Sequence, residues 1–164
     1  MPKTILKVND CSLEDLKKLL NNYQLKITLI PLNKTIPGSY WGDTEAGIIG
    51  NTLYVNPDTP IHSLLHESCH YICMDKHRRK SLDTDAEGNY DEENGVCYLQ
   101  ILLADKISNM GKTRMMKDMN NWGYTFRLGS AENWFNKDAE DALAWLQKHK
   151  IVDHTQSITF RLRQ

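Results

Sequence analysis

Residues 59–76 read Thr59-Pro60-Ile61-His62-Ser63-Leu64-Leu65-His66-Glu67-Ser68-Cys69-His70-Tyr71-Ile72-Cys73-Met74-Asp75-Lys76. Inside them sits His66-Glu67-Ser68-Cys69-His70, an HExxH pattern. Residues four apart share one face of a helix. The two imidazoles can therefore converge on one ion at about 2.0–2.1 Å. Glu67 borders the same face and can reach a water in the ion's open position. A zinc hydrolase uses a glutamate so placed as its general base.

The flanks support a helix here. Thr59 suits an N-cap and Pro60 a first helical residue. Ile61, Leu64, Leu65 and Ile72 supply apolar faces, and the spacers Ser68 and Cys69 are small and uncharged. Such a helix can be buried. A buried helix carrying two histidines and a glutamate needs a partner for them, because unpaired buried charge is costly.

Upstream, Ala46–Ile49 and Thr52–Val55 flank Gly50-Asn51 and read as a β-hairpin. Residues 4–8 read as a short strand, and Ser12 opens a helix reaching about Asn22. Leu25–Ile30 alternates as a strand does. Residues 31–45 form a loop, in which Tyr40 and Trp41 either line a cleft or cap the core. Downstream, Asp83–Glu93 is an acidic loop. It lacks the closing glutamate of an EF-hand, since Asn94 stands there. Helices are expected from Asp91 to Met110, from Lys112 to Asn121 and from Asp138 to His149. Ser157–Arg163 alternates as a terminal strand. The fold class is α+β: one domain over residues 1–164, with a small mixed sheet packed on helices and HExxH on one of them.

Composition excludes several function classes. A net charge of −1 gives no general affinity for nucleic acid or membranes. No apolar run approaches a membrane span, and Met1–Val8 lacks the apolar core of a signal peptide. Cys11, Cys69, Cys73 and Cys97 form no C-x-x-C pair. They read as free thiols of a reducing cytoplasm.

A catalytic zinc site usually has three protein ligands. The third is sought in Asp91-Glu92-Glu93, which opens the next long helix. Glu92, Val96, Leu99 and Leu103 form an inward stripe at helical spacing. Glu93 leads a mixed one through Cys97, Gln100 and Ala104. Register therefore favours Glu92 over Glu93, and Gly95, one turn on, allows a second helix to approach closely. Acids in this first turn also suit the positive helix end.

HExxH followed by a glutamate on the next helix resembles the gluzincin branch of zinc peptidases. Within it, residues 46–105 are similar to the ImmA/IrrE-type and other small single-domain, zincin-like peptidases. Glu92, Gly95, Tyr98, Leu102 and Leu103 fall where that family has its ligand glutamate, small residue, aromatic and leucine pair. Val96 departs from the family's polar residue, and the stretch after His70 is longer than in compact relatives. The resemblance implies Zn2+ held by His66, His70 and Glu92, with Glu67 as general base in hydrolysis of a peptide or protein substrate. It implies that Thr52–Val55 lies at the cleft edge and pairs with that substrate. An oxyanion donor is also needed, with Tyr90, Tyr124 and His154 as candidates, while His62 is expected at the surface. Two other readings stand beside it: a non-catalytic zincin-like module that binds a protein partner, and a metal-dependent hydrolase of a non-peptide amide.

Overall fold

The computed structural model describes residues 4–40 and 42–164. Trp41, read above together with Tyr40, lies outside the described residues, as do residues 1–3 of the N-terminal stretch. Among the described residues the chain is α+β. One helix is buried on all sides: α4, Tyr90–Ala104, in which every residue from Gly95 to Ala104 is buried. A helix apolar all round belongs inside a domain. Helices α2 (Ile61–Cys73), α5 (Gly111–Trp122) and α7 (Glu140–Lys148) pack around it. The remaining helices are α1 (Leu13–Asn21), α3 (Lys76–Arg79) and α6 (Ala131–Lys137).

The sheet holds three strands in the order β1 (Lys26–Leu29), β3 (Thr52–Val55), β2 (Gly47–Ile49). β1 runs parallel to β3 and β2 antiparallel to it, with Ile48 opposite Leu53 and Ile49 opposite Thr52. The hairpin turn is Gly50-Asn51, and Gly50 has φ +59°, a backbone that glycine adopts freely. Ile48, Leu53 and Val55 put the sheet's inner face on the core that α2 shares through Leu64, Leu65 and Ile72.

Several expectations are corrected. Thr52–Val55 is the central strand, paired on both sides, and has no free edge to offer a substrate. The outer edge of β2 is also taken. Thr84 N–H donates to Ile48 O (2.9 Å) and Gly50 N–H to Leu82 O (2.8 Å), forming an antiparallel bridge of Ile49 with Asp83. Residues 4–8 form no strand: Lys7 bridges Pro60 and Val8–Asp10 turns as a 3-10 helix. Their backbone groups bond instead to Asp118 and to residues 57–61. The tail is not a strand either. A turn on the Asp153 carboxylate reverses it, and Arg163 N–H donates to Ile72 O at the end of α2. The N-cap of α2 is Pro60, because Thr59 Oγ1 is spent on Asn56 N–H within the preceding turn. Ser12 caps α1 as expected. All four cysteines are unpaired, and no helix of the described residues is long and apolar enough to cross a membrane.

Candidate metal centre

α2 brings His66 and His70 to one point. Their Nε2 atoms are 3.1 Å apart and the rings stand perpendicular. The third group at that point is Glu93, from the first turn of α4. Its Oε1 lies 3.3 Å from His66 Nε2 and its Oε2 3.3 Å from His70 Nε2. Around a tetrahedral zinc with bonds of about 2.0–2.1 Å, neighbouring donor atoms are roughly 3.3 Å apart. The spacing of these donors matches that figure, and two imidazoles with one carboxylate form a donor set zinc accepts.

Glu92, the ligand favoured by register, faces the other way. It is 2 % exposed, and both carboxylate oxygens are occupied. Arg78 forks onto it (Nη2–Oε2 2.6 Å, Nη1–Oε1 2.9 Å), and Arg163 Nη1 donates to Oε1 at 2.9 Å. The reason lies in the burial of α4. A helix enclosed on all sides has no single inward stripe. The stripe of Glu92 faces α7 and the C-terminal tail, where Gly95 meets Trp145: a Cβ there would stand 2.7 Å from the indole. The stripe of Glu93 faces α2. Gly88 completes the arrangement, since a side chain there would run into the Glu92 carboxylate.

Glu92 thus ties the segment after α2 and the tail onto the helix core. Glu92→Ala would strand two partly buried guanidiniums. Because both arginines keep some solvent, we expect a loss of about 2–4 kcal/mol, a fall in Tm of roughly 5–15 °C. Thermal unfolding of the variant measures it, and His66, His70 and Glu93 are expected to stay in place.

The residue missed in the sequence is Gln100. It is fully buried in α4, two turns after Glu93. Its Oε1 accepts from His66 Nδ1 (2.8 Å), and its Nε2 donates to His62 O (2.9 Å). The first bond fixes the Nδ1–H, so the ring turns Nε2 toward Glu93: protonated, it donates to the carboxylate, and neutral, it offers a lone pair. Such partners set the tautomer and orientation of a metal-binding histidine. His70 has no such support: its Nδ1 is buried and meets no partner. Gln100→Leu is expected to weaken zinc affinity 10- to 100-fold, as read by competition with a chromophoric chelator. The signal was present in the sequence, as a polar residue on the Glu93 stripe of an otherwise apolar helix.

Electrostatics follow from burial. Burial works against a charged His66, but the hydrogen bond and charge of Glu93 outweigh it and raise the pKa. His70 is pushed down to about 4 by burial and by His66. Glu93 is held below the usual carboxylate range: burial opposes this, and its bond to His66 prevails. Glu67 makes no bond to either histidine. Burial raises its carboxyl to about 7, against the pull of His66.

Two cavities meet at this cluster and share His66, Glu67 and Glu93. The larger, about 840 Å³, is walled by Tyr90, Trp122, Tyr124 and Phe126. The smaller, about 260 Å³, is lined by Thr84–Glu87 of the loop before α4. Trp122 Nε1 donates to Glu45 Oε1 (2.7 Å) across the two sides of the larger cleft. Of the three oxyanion candidates, Tyr124 packs on the cluster, its ring perpendicular to that of His66 with centroids 5.5 Å apart. Tyr90 lines the same cleft but is 67 % exposed. His154 sits in the exposed tail turn and lines neither cavity. His62 is corrected from the surface to the core: it is 1 % exposed, between Trp122 and Tyr124. Comparison of the chain with models of protein families, with curated proteins and with solved structures finds no match.

Proposed function

We propose that the protein is a metal-dependent hydrolase, and within that class a zinc metallopeptidase, in which His66, His70 and Glu93 hold the ion and Glu67 handles the proton. The observation that carries this is the convergence of three donors from two helices at tetrahedral spacing, with a fourth group, Glu67, beside them. Zinc, when bound, supplies a Lewis acid and a water of lowered pKa. Glu67 is not needed to hold the ion. Burial favours the neutral form of its carboxyl, which suits a group that takes up a proton and passes it on. The aromatic cleft would receive a substrate side chain next to the bond that breaks. HExxH with a glutamate on the next helix still resembles the gluzincin pattern, but counted from Glu93 the places of Gly95, Tyr98, Leu102 and Leu103 fall out of step with it. Four unpaired cysteines suit a reducing compartment such as the cytoplasm.

One observation favours a non-peptide amide as substrate. The outer edge of β2 is covered by residues 82–84, so an extended peptide has no open strand there to pair with. The test for both is a set of peptides and small amides incubated with the protein, with a chelator and with zinc restored. Cleavage abolished by the chelator and recovered with zinc supports the proposal, and the identity of the cleaved set chooses the substrate. Cleavage that persists in the chelator rejects it.

A further inference from the structure

His62 lies one turn before His66 on α2, and neither the donor set nor Glu67 calls on it. Its Nδ1 lies 3.1 Å from the Tyr124 hydroxyl. Its Nε2 is buried and has no hydrogen-bond partner, and the ring rests against the Trp122 indole with centroids 4.9 Å apart. Burial and the neighbouring His66 push its pKa down to about 3, so the ring is neutral and carries one proton on one of two nitrogens.

The two tautomers differ in what they leave unpaired. With the proton on Nε2, a buried N–H has no acceptor, and Tyr124 must spend its own proton on Nδ1. With the proton on Nδ1, that N–H donates to the phenol oxygen, and Nε2 is only an unused acceptor. Buried orphan donors are the rarer and costlier of the two.

We infer that His62 is a positioning residue: its Nδ1–H donates to the Tyr124 oxygen and thereby frees the Tyr124 O–H to donate into the cleft beside His66. The group that would receive this bond is a substrate oxygen gaining negative charge, a clause that rests on the proposed hydrolase. Gln100 bonds to the His66 ring through Oε1 and to the His62 carbonyl through Nε2, so one buried amide ties both of these α2 histidines to α4.

The test begins with the tautomer and needs no turnover. In the full-length, 15N-labelled, zinc-loaded protein, long-range 1H–15N correlations are recorded, and His62 is assigned by its loss in His62→Asn. A protonated Nδ1 with a bare Nε2 is expected, and a protonated Nε2 overturns the inference. Kinetics on a cleaved substrate give the second readout. Tyr124→Phe should lower kcat by about 10²–10³-fold, with KM little changed. His62→Leu should reproduce that loss with zinc still bound. His62→Asn, whose amide N–H can stand in for Nδ1–H, should restore most of it. An undiminished kcat in His62→Leu overturns the inference. If the hydrolase reading itself fails, no variant and no wild type turns over, and the tautomer still decides the role of His62.

Discussion

Exchange of Glu67 for glutamine is expected to lower turnover by about 10²–10⁴-fold, the range for loss of a positioned general acid–base. Zinc content should not change. Glutamine keeps the size and the carbonyl oxygen of the native side chain but cannot take up a proton near neutrality. Glu67 bonds to neither histidine and lies outside the three-donor cluster, so the ligand geometry has no reason to move. A structural metal site would not need a partly buried carboxylate, unbonded to either histidine, at the junction of two cavities. Turnover of Glu67→Gln equal to that of the native protein would leave this residue without a catalytic role. Parallel measurement of kcat and of bound zinc separates that outcome from simple loss of the ion.

Glu93→Ala should remove zinc. The two remaining imidazoles supply half of a tetrahedral shell, and the carboxylate that spans both Nε2 atoms is gone. The loss of affinity should exceed roughly 100-fold, the upper end of what a lost supporting partner costs. Stability reports it independently. A ligand that binds only the folded chain stabilises it by about 4 kcal/mol at 1,000 times its Kd. The native protein should therefore gain thermal stability on adding zinc, and Glu93→Ala should not. Since Glu93 is 48 % exposed and Glu92 is buried between arginines, the alanine variants should separate cleanly. One loses the metal and keeps its fold; the other loses stability and keeps the metal.

The contrast between these neighbouring glutamates shows where the sequence ran out. HExxH was legible because it is local: a spacing of four along one helix fixes the direction of two imidazoles. The Gly50-Asn51 hairpin, the Ser12 cap and the close approach at Gly95 were legible for the same reason, each resting on residues within one turn. Choosing the third ligand required knowing which face of α4 meets α2. An inward stripe answers that only for a helix with one buried side, and α4 is buried on every side. The informative residue was Gln100, a polar group on the Glu93 stripe with no other reason to be in the core. Likewise, residues 4–8 and 157–163 alternate as strands do, but their backbone partners are loops and a helix end rather than a sheet edge. Alternation reports two faces, not a neighbour to pair with. The burial of His62 had no local signal, because Trp122 and Tyr124 reach it from 60 residues further along the chain.

Three donors meet at one point, and zinc content tests what they hold most directly. Elemental analysis would be made on the native protein and on the Glu92→Ala and Glu93→Ala variants, all purified with zinc present. About one zinc per chain in the native protein and in Glu92→Ala, with little in Glu93→Ala, is the expected result. Zinc retained in Glu93→Ala and lost in Glu92→Ala would contradict it. So would a native protein that binds none after reconstitution.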